Sequence, residues 1–141
     1  ELEEKFDVVL SLFHVLSYLN TNQDVSNGIN AINSHLKPGG VAIFDFWHGP
    51  GVLSDLPLPR KKMIENNSLK VTRFANPSLD ILTNTVLVHY DLLIYDKKEN
   101  KYFELEENHN MRYFFKSDFE SFLKEMSPSQ NYFFDWIFQL L

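Results

Sequence analysis

Five histidines occur in the sequence, and imidazole, with an ordinary pKa near 6.5, is the side chain best suited to trading protons at neutral pH. Two of them directly follow short apolar runs: His14 in "FDVVLSLFHVLSY" and His48 in "VAIFDFWHGPG". Ligands of open α/β sheets sit beyond the carboxyl ends of the strands, so residues just past such runs are candidates for chemistry. Tyr18 either reaches the same cleft as His14 or anchors the start of a helix. Trp47 can wall a substrate or simply pack, and His48 beside it offers a polar contact or remains a loop histidine. His109 and Arg112 lie in "ENHNMRYFF", where strand alternation sets them on opposite faces unless a bulge intervenes. His109 shares its face with Met111 and Tyr113, as a site wall or a satisfied core histidine. Arg112 contacts substrate or, in the plainer reading, pairs with Glu106, Glu107 or Asp118.

Other chemistries lack support. No His-x-His or His-Glu-x-x-His spacing occurs, so no metal site is expected. There is no Gly-x-Ser-x-Gly elbow for a Ser-His-Asp hydrolase. The absence of cysteine removes disulfides, thiolate metal sites and thiol nucleophiles.

The elements that must position these residues read as an α/β fold. "FDVVLSLF" (Phe6–Phe13) is a nearly continuous apolar run, as expected for a strand buried on both faces. Thr21 opens "TNQD", a capping box, and Val25, Ile29, Ile32 and Leu36 then recur at helical spacing. Gly28 weakens that helix and Pro38-Gly39-Gly40 is expected to stop it. "VAIFDF" (Val41–Phe46) follows as a second buried strand, completing a parallel strand-helix-strand crossover. "HGPGVLSDLPLP" (His48–Pro59) reads as a loop, and "PRKK" (Pro59–Lys62) as solvated. Three β-rich stretches are expected at about 69–75, 81–95 and 102–115, the last two joined through "DKKENK" as an antiparallel hairpin. Ser117 begins a second capping box, with Phe119, Phe122, Leu123 and Met126 on one helical face; "NYFFDWIFQLL" reads as a final strand. The expected division is an α/β core of 1–58 and 116–141 with an antiparallel insertion at 59–115.

Composition narrows the partners. The 141 residues suit one domain, and 44% hydrophobic with 15% aromatic content suits a packed core rather than disorder. A formal net charge of −6 opposes nucleic acid and acidic membrane surfaces. No apolar run approaches the roughly 18 residues of a membrane span, and "ELEEKFD" is unlike a signal peptide. A soluble cytoplasmic protein, without membrane or nucleic-acid partners, is expected.

"FDVVLSLFHVLSYL" together with "HLKPGGVAIFDFWHGPGVL" resembles the second half of a class I S-adenosylmethionine-dependent methyltransferase. The pieces resemble that family's fourth strand, following helix and fifth strand. "EENHNMRYFFKSDFESFLKEM" is similar to the strand and helix after the substrate-side insertion of small-molecule methyltransferases, nearest those acting on amino sugars or comparable amines. The resemblance implies a partial Rossmann-like sheet, S-adenosyl-L-methionine as cofactor and a small-molecule methyl acceptor. It assigns Ser11, Leu12 and Phe13 to the methionine part of the cofactor, chiefly through backbone atoms. It makes His14 the candidate base, the alternative being a loop hydrogen bond. Tyr18, Trp47, His48, His109 and Arg112 become substrate-side candidates, with 59–115 a lid or substrate layer.

The family's glycine-rich first turn and the acid after its second strand have no counterpart before Phe6. Gly49-x-Gly51 is the one G-x-G, and it follows the fifth strand. A half-domain lacking the cofactor-binding start is therefore expected. The rival expectation is a catalytically silent module. Either way, the exposed edge of Phe6–Phe13 is expected to drive self-association or complementation by another chain.

Overall fold

The computed structural model describes residues 3–126, in two units: 3–55 with 111–126, and Leu56–Asn110. The first is an α/β unit. Its strand β1 (Phe6–Ser11) pairs in parallel with β2 (Leu36–Phe44), and helix α1 (Asn22–Ser34) connects them. A short 3-10 turn, Val15–Tyr18, lies between β1 and α1.

Helix α1 starts where the capping box requires. Thr21 Oγ1 accepts from the Asp24 amide at 3.1 Å, and Asp24 Oδ2 accepts from the Thr21 amide at 3.3 Å. Two otherwise orphaned donors are satisfied, an arrangement that contributes about 1 kcal/mol. Val25 and Ile29 are buried and Ile32 packs beside them. Gly28 has a packing reason: a Cβ there would lie 2.7 Å from Leu19 Cδ1.

Three expectations for this unit need correction. The helix ends at Ser34, so Leu36 leaves its stripe and pairs with Phe6 as the first residue of β2. "LKPGG" is consequently not a helix stop but an irregularity inside the strand: Phe6 faces Leu36 whereas Val8 faces Val41. Proline, which lacks a ladder donor, and Gly39 at φ +80° suit such a bulge. Lys37 Nζ also donates to Asp7 Oδ2 at 2.9 Å, which holds that carboxyl below its ordinary range.

The second correction concerns burial. Val9, Ala42 and Phe44 are half-buried on one side of the pair. Val8, Leu10, Val41 and Ile43, on the other side, are 50–58% exposed. Both strands were expected to be covered on two faces, and among the described residues nothing covers the second. Third, "GPGVLS" is not a loop but helix α2 (Gly49–Ser54), with Pro50 in its first turn, where a missing N–H costs nothing.

After Phe44 the chain leaves β2 for a two-residue strand, β3 (Trp47–His48). The second unit is a sheet of β4 (Arg60–Glu65), β5 (Leu69–Asp80), β6 (Thr85–Asp96) and β7 (Lys101–Phe114), neighbours in that order. The hairpin through Lys97–Asn100 is present as expected. The expected strand 81–95 instead contains a turn: Asp80 Oδ1 accepts from the Leu82 amide at 2.9 Å, and Asn84 takes φ 55°. "RKK" belongs to strand β4, not to a loop. β7 runs on into the first unit, where Tyr113 and Phe114 pair in parallel with Trp47 and His48.

Helix α3 (Lys116–Met126) begins one residue before Ser117, so that serine lies inside the first turn rather than capping it. Phe119 and Leu123 are buried, with Phe122 beside them. "NYFFDWIFQLL" lies outside the described residues. The core of the unit is Leu16, Val25, Ile29, Phe114, Phe119 and Leu123, bordered by Phe44 and Phe46. No helix among the described residues is long and apolar enough to cross a membrane.

Candidate functional site at the strand ends

The carboxyl ends of β1 and β2 lie side by side, Ser11 opposite Phe44. The chain past β1 then turns through two consecutive residues with positive φ, Phe13 at 64° and His14 at 61°. For residues with a Cβ this region costs about 1–2 kcal/mol each. One side chain offsets that cost. Asp45, just past β2, accepts from the Phe13 amide at 3.1 Å through Oδ2 and from the His14 amide at 2.8 Å through Oδ1. Hydrogen bonds to a charged acceptor contribute about 1.5–3 kcal/mol each, enough to hold both residues there. The Asp45 amide in turn donates to the Ser11 carbonyl at 3.2 Å, closing the two strand ends together.

Two consequences matter for chemistry. The imidazole of His14 is half-buried, with Nε2 3.9 Å from Asp45 Oδ2. The Phe13 ring is 87% exposed, an unusual position for an aromatic beside a buried core. Because Asp45 takes the Phe13 and His14 amides, a ligand at this turn would meet the exposed Phe13 ring rather than those two donors.

Ser17 places the next segment. It is fully buried, and its Oγ accepts from the Trp47 amide at 2.8 Å, fixing where β3 starts. Ser17→Ala would leave that amide donor without its partner and is expected to cost about 1–3 kcal/mol in denaturant unfolding. A cost below about 0.5 kcal/mol would mean that the bond does not hold β3 in solution. Burial pushes the His48 pKa below its ordinary value, which keeps the ring neutral at physiological pH.

Arg112 has a different environment from the expected ion pair. Its Nη2 donates to Asn22 Oδ1 at 2.8 Å and its Nη1 to the Asn20 carbonyl at 3.4 Å. The guanidinium lies over Phe114 at 4.9 Å and Phe122 at 5.9 Å, whereas its Nε is buried with no hydrogen-bond partner among the described residues. Burial lowers its pKa, and the charge of Asp118 opposes that shift. Arg112 thus ties the end of β7 to the start of α1, a position that short-range strand alternation could not reveal.

Ser11, Leu12, Phe13, His14, Tyr18, Trp47, His48 and Arg112 all belong to the α/β unit. Tyr18 is 46% exposed, and its carbonyl accepts from Asn20 Nδ2 at 2.9 Å. His109 belongs to the sheet unit, where Nε2 lies 3.2 Å from Glu107 Oε2 and the ring meets Tyr90 edge-on at 5.1 Å. Asp45 and Ser17 are the residues that sequence reasoning missed. A charge closing the apolar run "VAIFDF" was the available signal for Asp45; Ser17 carried none.

No family model matches the chain. A 54-residue stretch, 38% of the chain, is 33% identical to dTDP-3-amino-3,4,6-trideoxy-alpha-D-glucopyranose N,N-dimethyltransferase of Streptomyces venezuelae, of which it spans 23%. Among solved structures, an S-adenosylmethionine-dependent methyltransferase from Clostridium acetobutylicum matches 90% of the chain with a TM-score of 0.73 at 22% identity. The sugar N-methyltransferase KedS8 from Streptoalloteichus sp. also matches 90%, with a TM-score of 0.76 at 20% identity. The chain covers 49% of each of these two structures. It therefore has the α/β fold of S-adenosylmethionine-dependent methyltransferases over about half of their length.

Proposed function

We propose that the chain is the C-terminal part of an S-adenosylmethionine-dependent methyltransferase that acts on a small molecule, with an amino sugar or comparable amine as acceptor. The observation that carries this reading is the shared fold; the Ser11–His14 turn follows the carboxyl end of β1, and ligands of open α/β sheets generally bind beyond such ends. The local match to a sugar N,N-dimethyltransferase supports an amine acceptor.

The bound cofactor supplies an electrophilic methyl group on a sulfonium. The chain's own residues have four tasks. The Leu12 and Phe13 carbonyls hold the ammonium of the amino-acid portion. Trp47 and Tyr18 wall the acceptor and exclude water, so that the attacking nitrogen stays about 3 Å from the carbon it reaches. His14 takes the proton that the amine must lose, at its imidazole, whose Nε2 lies 3.9 Å from Asp45 Oδ2. His48, neutral through burial, accepts or donates one hydrogen bond without adding charge.

The test is transfer of labelled methyl from S-adenosylmethionine to a panel of amines and nucleotide-linked amino sugars. Label on an amine nitrogen is expected. A protein that binds the cofactor but labels no amine would overturn the acceptor class.

A second reading, association with a second copy, is favoured by one observation: four aliphatic side chains stand half-exposed on one face of β1 and β2. The proposed contact includes this face as well as the strand edge.

A further inference from the structure

The geometry points to Asp45 as the positioning residue of the site, a role that rests on the methyl-transfer reading above. Neither Phe13 nor His14 has the glycine that two successive positive-φ positions favour. The turn nevertheless places its two amides on the two oxygens of one carboxylate. Asp45 reaches them from the end of the neighbouring strand, thirty-two residues from Phe13. The shape of the turn is therefore imposed across the sheet and not by local sequence.

That shape has two consequences together. It turns Phe13 outward and keeps the His14 imidazole beside the carboxylate. Asp45 is not a catalytic residue in this account. It touches the turn, and acts on a ligand only through it.

The test compares Asp45→Ala with the unmodified chain by amide hydrogen exchange. Exchange at Phe13 and His14 is expected to quicken about tenfold or more, the factor corresponding to one lost charged hydrogen bond. The Val25 and Ile29 amides of α1 report whether the unit remains folded. Should Asp45→Ala unfold it, Asp45→Asn serves instead: it retains one acceptor oxygen, so one of the two amides is expected to keep its protection. Unchanged exchange at both residues in a folded variant would overturn the clamp.

A second readout links the clamp to the site. Affinity for S-adenosylmethionine is expected to fall about tenfold in Asp45→Ala. It should recover in part in Asp45→Ala/Phe13→Gly, because glycine adopts positive φ without help. Full affinity in Asp45→Ala would overturn the positioning role. Absence of binding by the unmodified chain would instead count against the methyl-transfer reading, with the exchange comparison still deciding the clamp.

Discussion

Phe119→Ala is expected to destabilise the α/β unit by about 3–5 kcal/mol, the cost of emptying a filled aromatic site. Phe119 is fully buried, and three other rings surround it: Phe46 stacked at 4.7 Å, Phe44 at 5.1 Å and Phe114 edge-on at 5.4 Å. These rings come from the end of β2, the segment after it, the end of β7 and helix α3. No single neighbouring element can close the cavity by itself. Since small domains are stable by only about 5–15 kcal/mol, the loss would consume much of the total. Chemical denaturation monitored by circular dichroism measures it. A cost below about 1 kcal/mol would mean that the aromatic cluster is not the keystone of the unit.

The other large effect concerns association. Val8 faces Val41 and Leu10 faces Ile43 across the parallel pair, so the four side chains form one aliphatic patch. Parallel sheets are ordinarily covered on both faces, and apolar area removed from water is worth roughly 25 cal/mol per Å². The protein is expected to self-associate with rising concentration, as read by sedimentation. Leu10→Lys with Ile43→Lys should abolish association and leave the circular dichroism of the fold unchanged, since both side chains already stand half in solvent. A chain that is monomeric at every concentration would contradict this. So would an unaffected oligomer in the doubly charged variant.

What was legible in the sequence follows from the range of the forces involved. Thr21 with Asp24 marked the start of α1 because capping is settled within four residues. The parallel crossover was legible for a similar reason: apolar runs separated by a helical stripe leave few alternatives. "LKPGG" misled because proline and glycine suit a helix stop and a strand bulge equally well, and only the pairing with Phe6 decides between them. "ILTNT" looked like strand since it is apolar and β-branched, yet the Asp80 carboxylate captures the Leu82 amide and turns the chain. Strand β4 carries three adjacent basic residues, Arg60–Lys62, all exposed, so its composition resembled a solvated loop.

The site divides along the same line. His14, Trp47 and His48 could be singled out because each follows an apolar run closely, and the ends of such runs can be read locally. The Asp45 clamp, the Ser17 bond to Trp47 and the Arg112 contacts with Asn20 and Asn22 each span thirty residues or more. Pairings of that separation leave no periodic trace in a single sequence. They decide the shape of the turn, the start of β3 and the tie between β7 and α1.

The most direct test of the central claim, that these strand ends form a methyl-donor surface, is a two-dimensional amide NMR titration of the chain with S-adenosylmethionine up to millimolar concentration. Shifts are expected at Ser11–His14 and Asp45–His48, with little change along β4 and β5. Stationary resonances throughout both segments, whether or not other amides move, would contradict the claim.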